Sequence, residues 1–267
     1  MAYVMLSRVQ EISQVIIIDD LHKDCVGWKV SQSSLDEKDD SVISAINVPR
    51  QSVSQYETVL MCLNVRSLRK NFKDVQRVVK NKDYNAICLQ ETWLLGDDYG
   101  DNYHLENLYF DLNSRGLGKG IATYFKMGYM GFKVTDKVKD DNCQITQISS
   151  VNLDIFNIYR SSDNKNLIEF LKPRINEEKS TILCGDFNIN YLEGCKNNFF
   201  RVLTEKFKFK QLVTQPTHTT DYTATTLDQV WVNTPLYDRV IVEQTSVRFT
   251  DHDMLRICIK GGSGTED

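Results

Sequence analysis

No apolar run in this chain approaches the about 20 residues that a membrane-spanning helix requires, and the opening "MAYVMLSRVQ" lacks the charged start and apolar centre of a secretion signal. A membrane partner is therefore not expected, and the location expected is intracellular, nuclear in a eukaryotic cell. The seven cysteines are an odd number and contain no Cys-x-x-Cys pair, which argues against a disulfide framework and against a structural zinc site. Cys62, Cys88, Cys184 and Cys258 sit in apolar strand-like runs and read as buried reduced thiols. A basic excess is also missing. At a net charge of −4 the chain is unsuited to coating nucleic acid non-specifically, since such binding rests on many Lys and Arg contacts to phosphate. An enzyme that touches DNA briefly is compatible with that balance. Neither a P-loop nor a dinucleotide-binding glycine spacing occurs, so the glycines of "RGLGKGIATYF" read as a turn before a strand.

What is present is enough for a sizeable core: 41 % of the 267 residues are hydrophobic. Residues 1–22 end in the apolar run "QVIIID", and residues 23–56, with "SQSSLDEKDDSV", are polar, charged and without periodicity, as a linker is. From residue 57 to 260 short β-rich runs alternate with helical ones. "TVLMCLN", "YNAICLQ", "KGIATYFK", "QITQISS", "VNLDIFNIY", "STILCGD", "LDQVWVN", "RVIVEQ" and "MLRICIK" read as strands. "KNFKDVQRVVKN" places Phe72, Val75, Val78 and Val79 on one helical face, and further helices are expected at about 164–177 and 196–208. Residues 261–267 read as a disordered tail. Many strands with a few helices between them predict two packed sheets flanked by helices.

The stretch "CGDFNIN" has two readings on its own. Gly-Asp followed by Asn is ordinary turn chemistry, and the same residues can equally face a reacting phosphate. The other strands sharpen the choice, because each ends in a polar residue that a core does not need. "LMCLN" delivers Asn64, "AICLQE" delivers Gln90 and Glu91, "IFNIY" delivers Tyr159, "TILCGDFN" delivers Asp186 and Asn188, "TTLD" delivers Asp228, and "FTDHD" carries Asp251 and His252. That set suits phosphodiester hydrolysis. Glu91 is the expected ligand for Mg²⁺, a hard cation that takes one or two carboxylates together with waters and phosphate. Asp186, oriented by Asn64 and Asn188, is the expected base for the attacking water. His252, kept protonated by Asp228, would donate to the developing charge on phosphate, and Tyr159 would donate to a phosphate oxygen or assist the leaving group.

In the order "LNVRSL", "CLQETW", "NIY", "CGDFN", "LDQVW", "TDHDML" the chain resembles the endonuclease/exonuclease/phosphatase superfamily, and within it the apurinic-type endonucleases of non-LTR retrotransposons. The resemblance implies an α/β four-layer sandwich of two mixed sheets flanked by helices, with Asn64, Tyr159, Asp186, Asn188, Asp228 and His252 in catalytic positions and Glu91 and Asp251 at the metal. The cofactor it implies is Mg²⁺, with Mn²⁺ as substitute. Where the repair enzymes carry a metal-holding Asp, two residues after the first Asn, this chain has Arg66. Arg66 is accordingly expected on DNA phosphate, with Arg160 and Thr250 as further substrate contacts. Residues 1–22 resemble the last motif of Pif-class helicases, and a helicase tail linked to such an endonuclease resembles the Helentron-type transposon proteins. The function implied is that of a mobile-element endonuclease that nicks one DNA strand to leave a 3′-hydroxyl, monomeric as a module and part of a larger helicase-containing polyprotein. The rival readings are a phosphatase or phospholipid phosphodiesterase of the same fold and a non-catalytic nucleic-acid-binding remnant.

Overall fold

The structure, a computed structural model, describes residues 56–261 apart from 97, 99–100, 115, 127–130, 162–166 and 194–197. The helicase-like segment, nearly all of the polar linker and the expected C-terminal tail lie outside the described residues. The strands run β1 (Tyr56–Asn64), β2 (Ala86–Gln90), β3 (Tyr109–Asn113), β4 (Ile121–Phe125), β5 (Lys133–Lys139), β6 (Cys143–Ser149), β7 (Leu153–Arg160), β8 (Ser180–Asp186) and β9 (Lys210–Gln211). They continue through the short hairpin β10 (His218–Thr219) and β11 (Ala224–Thr225) to β12 (Asp228–Val232), β13 (Val240–Ser246) and β14 (Asp253–Lys260). The described residues build two six-stranded sheets, ordered β13-β14-β1-β2-β4-β3 and β5-β6-β7-β8-β12-β9. Each sheet is mixed: β1 and β2 are parallel in the first and β7 and β8 in the second, while their other neighbours are antiparallel.

Three apolar clusters make the layers. The central one lies between the sheets and contains Leu60, Cys62, Ala86, Cys88, Ile155, Ile182, Cys184, Val230, Val232, Leu255 and Ile257. On the outer face of the first sheet, helix α1 (Leu68–Val79) inserts Leu68 and Val75 against Met61, Leu63, Ile87 and Leu89, with Phe72, Val78 and Val79 packed beside them. On the outer face of the second sheet, α2 (Leu167–Leu171) and α3 (Asn198–Arg201) bring Leu167, Leu171, Phe199 and Phe200 onto Phe156, Ile158, Leu183 and Trp231. Helix, sheet, sheet, helix is the four-layer order the sequence predicts. Because side chains alternate along a strand, every second residue of a central strand faces the other sheet. The inward rows run Leu60-Cys62-Asn64, Ala86-Cys88-Gln90, Ile155-Asn157-Tyr159, Ile182-Cys184-Asp186 and Val232-Val230-Asp228, apolar at one end and polar at the other.

Differences from the expected elements have local causes. The helix expected over 196–208 is α3 followed by a wider π-type turn over Val202–Lys206, which keeps Leu203 buried. Strands β3 and β5 were not legible in the sequence. Both are edge strands, and β5 carries Lys133, Asp136, Lys137 and Lys139, the charges that an edge tolerates and that mask a strand pattern. Among the described residues no helix is long and apolar enough to cross a membrane. Cys62, Cys88, Cys143, Cys184 and Cys258 are buried free thiols, as the apolar runs around four of them indicate.

Candidate active site

The polar ends of the inward rows converge at one edge of the two sheets. From the first sheet come Asn64 at the end of β1, Glu91 just after β2, and Asp251 and His252 just before β14; from the second come Tyr159, Asp186, Asn188 and Asp228. Two hydrogen bonds join the halves. Asn64 Nδ2 donates to Asp186 Oδ2 at 2.9 Å, and His252 Nδ1 donates to Asp228 Oδ2 at 2.8 Å. Asn64 Nδ2 also reaches Glu91 Oε1 at 3.0 Å, so one amide spans both candidate carboxylates. Trp93 Nε1 donates to Glu91 Oε2 at 3.3 Å.

The local backbone explains why the sequence reads as it does. Gly185 is inside β8 and not in a turn, opposite Ile158 of the parallel strand β7. Its φ is +144°, and a Cβ there would sit 1.9 Å from the Ile158 carbonyl oxygen. That close approach of two main chains is what the glycine permits, and it brings Asp186 beside Tyr159 in register. Gly185→Ala is expected to destabilise the fold by about 3 kcal/mol, since both the conformation and the space are wrong, with a Tm roughly 6–12 °C lower for a domain of this size. A thermal melt within 2 °C of wild type, an order-of-magnitude bound on scatter, would remove that reading of the glycine. After Phe187 the chain turns through Asn188, whose φ of +46° suits an asparagine. Its N–H donates to Asp186 Oδ1 at 2.9 Å and its Nδ2 to the Arg160 carbonyl at 2.7 Å.

Burial and neighbours set the proton affinities. Burial pushes the Asp186 carboxyl up to about 7 and the Asp228 charge adds to this, while His252 and the Asn188 N–H pull in the other direction. For His252 burial opposes the cation, but Asp228, by charge and hydrogen bond, and then Asp186 and Asp251 outweigh it and raise the imidazole to about 9. Burial, reinforced by Glu91 and Asp186, drives the Tyr159 phenol far above its ordinary value, so it stands as a donor; its hydroxyl donates to the Gly118 carbonyl at 3.1 Å. The turn of "RGLGKG" thus precedes a strand, as expected, and also touches the site. Burial pushes Asp251 up, yet His252 and Arg66, with its own N–H and His218, hold it below the usual carboxylate range.

The expected substrate contacts fall in three different settings. Arg66 is half exposed and ion-paired with Asp251 Oδ2. Thr250 Oγ1 donates to the Asn64 carbonyl at 3.0 Å, tying the β13–β14 loop to the end of β1. Arg160 is buried, and its Nη1 donates to the carbonyls of Phe187 and Asn188 at 3.1 and 3.3 Å. It braces the loop that carries Asn188. His218 was not among the expected site residues. His218 Nε2 lies 3.1 Å from Asp251 Oδ2, its ring is 4.7 Å from that of His252, and the two histidines form a β-bridge. Nothing in "TQPTHTT" signals this, because the contact is made across 33 residues.

Two side-chain clusters among the described residues could hold a cation, His218 with Asp251 and His252, and Asp186 with Asp228 and His252, so carboxylate oxygens and imidazole nitrogens both line this edge. Oδ1 of Asp251 and Oδ1 of Asp228 are buried and accept no hydrogen bond, and the carboxylates of Glu91, Asp186 and Asp251 surround the same edge. Such donors fit a hard divalent ion. Arg66 already neutralises part of the Asp251 charge, whereas Glu91 and Asp186 accept only from neutral amide and indole donors.

The comparisons assign this two-sheet sandwich, with acid, amide and histidine joined at one edge, to a family. The model of the Endonuclease/Exonuclease/phosphatase family matches residues 61–252, and the chain belongs to that family. The AP endonuclease LMAP from Leishmania major superimposes with a TM-score of 0.61 at 14 % identity, over 76 % of this chain and 88 % of that one. The 3′ phosphatase NExo from Neisseria, bound to a product DNA hairpin, gives 0.63 at 13 % identity over 76 % and 100 %. The endonuclease domain of TRAS1, a telomere-specific non-LTR retrotransposon, gives 0.58 at 12 % identity over 76 % and 98 %. At such identities these likenesses establish the fold. No curated protein matches the sequence.

Proposed function

We propose that this chain is a Mg²⁺-dependent DNA endonuclease of a mobile element, nicking one strand to leave a 3′-hydroxyl. The observation that carries the reading is the pair of inter-sheet bonds, Asn64 to Asp186 and His252 to Asp228, which hold a base and an acid on one surface. Asp186, with a proton affinity near neutrality, takes the proton of the attacking water, and Asn64 and the Asn188 N–H fix its two oxygens. His252 enters as a cation whose Nδ1 is spent on Asp228; its Nε2 is the donor left for a phosphate oxygen. Glu91, with Asp251, would hold the metal, which when bound supplies positive charge to the phosphate. Tyr159 donates at the rim. Arg66 pairs with DNA phosphate and with Asp251 in alternation. Support for DNA as substrate comes from neighbours described as an AP endonuclease, a phosphatase bound to a DNA hairpin and a retrotransposon endonuclease. The helicase-like resemblance of residues 1–22 supports the mobile-element origin.

Supercoiled plasmid tests the proposal. Open-circle product is expected with Mg²⁺ and none with EDTA, and the nick should prime a polymerase without prior phosphatase treatment, since its end is a 3′-hydroxyl. Intact plasmid, together with phosphate release from a 3′-phosphorylated oligonucleotide, would replace the endonuclease reading by a phosphatase.

A further inference from the structure

The candidate site is divided between two sheets, so its geometry depends on how they are held against each other. Most of what lies between them is apolar: Leu60, Ile155, Ile182, Val230 and Ile257 have no directional preference and tolerate small slips. Directly beneath the site the pattern changes. Asn157, in the row Ile155-Asn157-Tyr159, and Gln90, in the row Ala86-Cys88-Gln90, are both fully buried. Asn157 reaches from the second sheet into the first. Its Nδ2 donates to the Ala122 carbonyl and to Thr123 Oγ1, each at 3.0 Å, and its Oδ1 accepts from Gln90 Nε2 at 2.7 Å. Gln90 is also tied to its own sheet, its Nε2 donating to the Cys88 carbonyl at 3.2 Å and its Oε1 accepting from the Cys62 thiol at 3.7 Å. Buried amides in an apolar layer are costly unless every donor is matched, and this pair is matched on both sides.

Position gives the pair its meaning. Asn157 is two residues before Tyr159 and faces Cys184, two before Asp186; Gln90 immediately precedes Glu91 and is in register with Asn64. We infer that Gln90 and Asn157 are a positioning pair, an inter-sheet pin that sets the separation of Asn64 and Glu91 from Asp186 and Tyr159. The inference rests on the nuclease reading for its kinetic test. Neither residue reaches the surface, so the pin acts on the reaction only through the groups it places. Hydrogen bonds between the sheets fix their register to tenths of an ångström, where packed methyl groups do not.

The decisive variant replaces both amides. Asn157→Val alone leaves Gln90 Nε2 without its inter-sheet acceptor and should lower Tm by roughly 5 °C. Adding Gln90→Leu removes the stranded donor, so Tm should recover most of that loss. Nicking should not recover: kcat of the double variant is expected about 10- to 100-fold below wild type with KM changed less than about twofold, the signature of misplacement without lost binding. Thr123→Val keeps the side-chain volume but removes a single bond, and should cost about threefold in kcat with Tm lowered by no more than about 4 °C. Wild-type turnover in the double variant and in Thr123→Val, or activity that simply follows Tm, would overturn the pin. Should wild type itself fail to nick, the nuclease reading falls and the pin is judged by a crystal structure of the double variant: a lengthened Asn64 to Asp186 contact supports it, and an unchanged 2.9 Å contact overturns it.

Discussion

Asp186→Ala and His252→Ala are each expected to lower plasmid nicking by about 100- to 1000-fold while leaving the fold intact, the loss typical when one group acting on the transition state is removed. Asp186 ends an inward row and His252 lies just before β14, and neither carries apolar load, so circular dichroism should stay near wild type, while His252→Ala lowers Tm because it leaves the buried Asp228 carboxylate without its partner. The same two groups give the pH profile its shape. Asp186 must be ionised to act as base, so the rate should climb through pH about 7; His252 must be protonated to act as donor, so it should fall through about 9. Asp228 raises both values, by charge on Asp186 and by charge and hydrogen bond on His252. Asp228→Asn should therefore move both limbs of the profile to lower pH, besides reducing its height. A folded Asp186→Ala or His252→Ala variant with near wild-type turnover would disprove that residue's role, and a profile unmoved by Asp228→Asn would disprove the coupling.

The second large effect concerns metal. Glu91→Gln removes the charge a hard cation prefers, and the Mg²⁺ concentration giving half-maximal nicking should rise by at least the about 10- to 100-fold that loss of an outer-shell partner alone costs. Glutamine is not silent at this position. Both carboxylate oxygens accept from N–H donors, Asn64 Nδ2 and Trp93 Nε1, so an amide must turn its own NH₂ toward one of them. If it faces Asn64, the amide that orients Asp186 is disturbed and kcat falls even at saturating Mg²⁺. The two consequences separate in one titration, since lost affinity shifts the midpoint and lost orientation lowers the plateau. A shifted plateau with an unmoved midpoint would assign Glu91 to orientation and take it out of the metal site.

Legibility in the sequence differs from element to element. The inner strands were legible because they are short runs dominated by apolar residues on both faces, and α1 because Phe72, Val75, Val78 and Val79 recur on one helical face. Edge strands β3 and β5 were not, since an edge is partly solvated and its charges break the alternation. Within the site, Gly185 looked like a turn and is a strand residue whose missing side chain admits the neighbouring backbone. Asn157 passed unnoticed inside "IFNIY", where a single amide among apolar residues has no periodic signature.

The order of polar residues at strand ends was written in the chain itself, because a core row that ends in Asn, Glu, Asp or His needs a reason local burial does not supply. That order determined the fold class, the candidate acids and the histidine. Which of them touch was decided only by the tertiary structure. Asn64 meets Asp186 across 122 positions and His218 meets Asp251 across 33, contacts that depend on how two twisted sheets stack and where the β10–β11 hairpin folds back. A linear pattern encodes the face on which each side chain lies, by the two-residue period of a strand. It does not encode the separation of two faces, which side-chain volume between the sheets and the buried amides beneath the site set together.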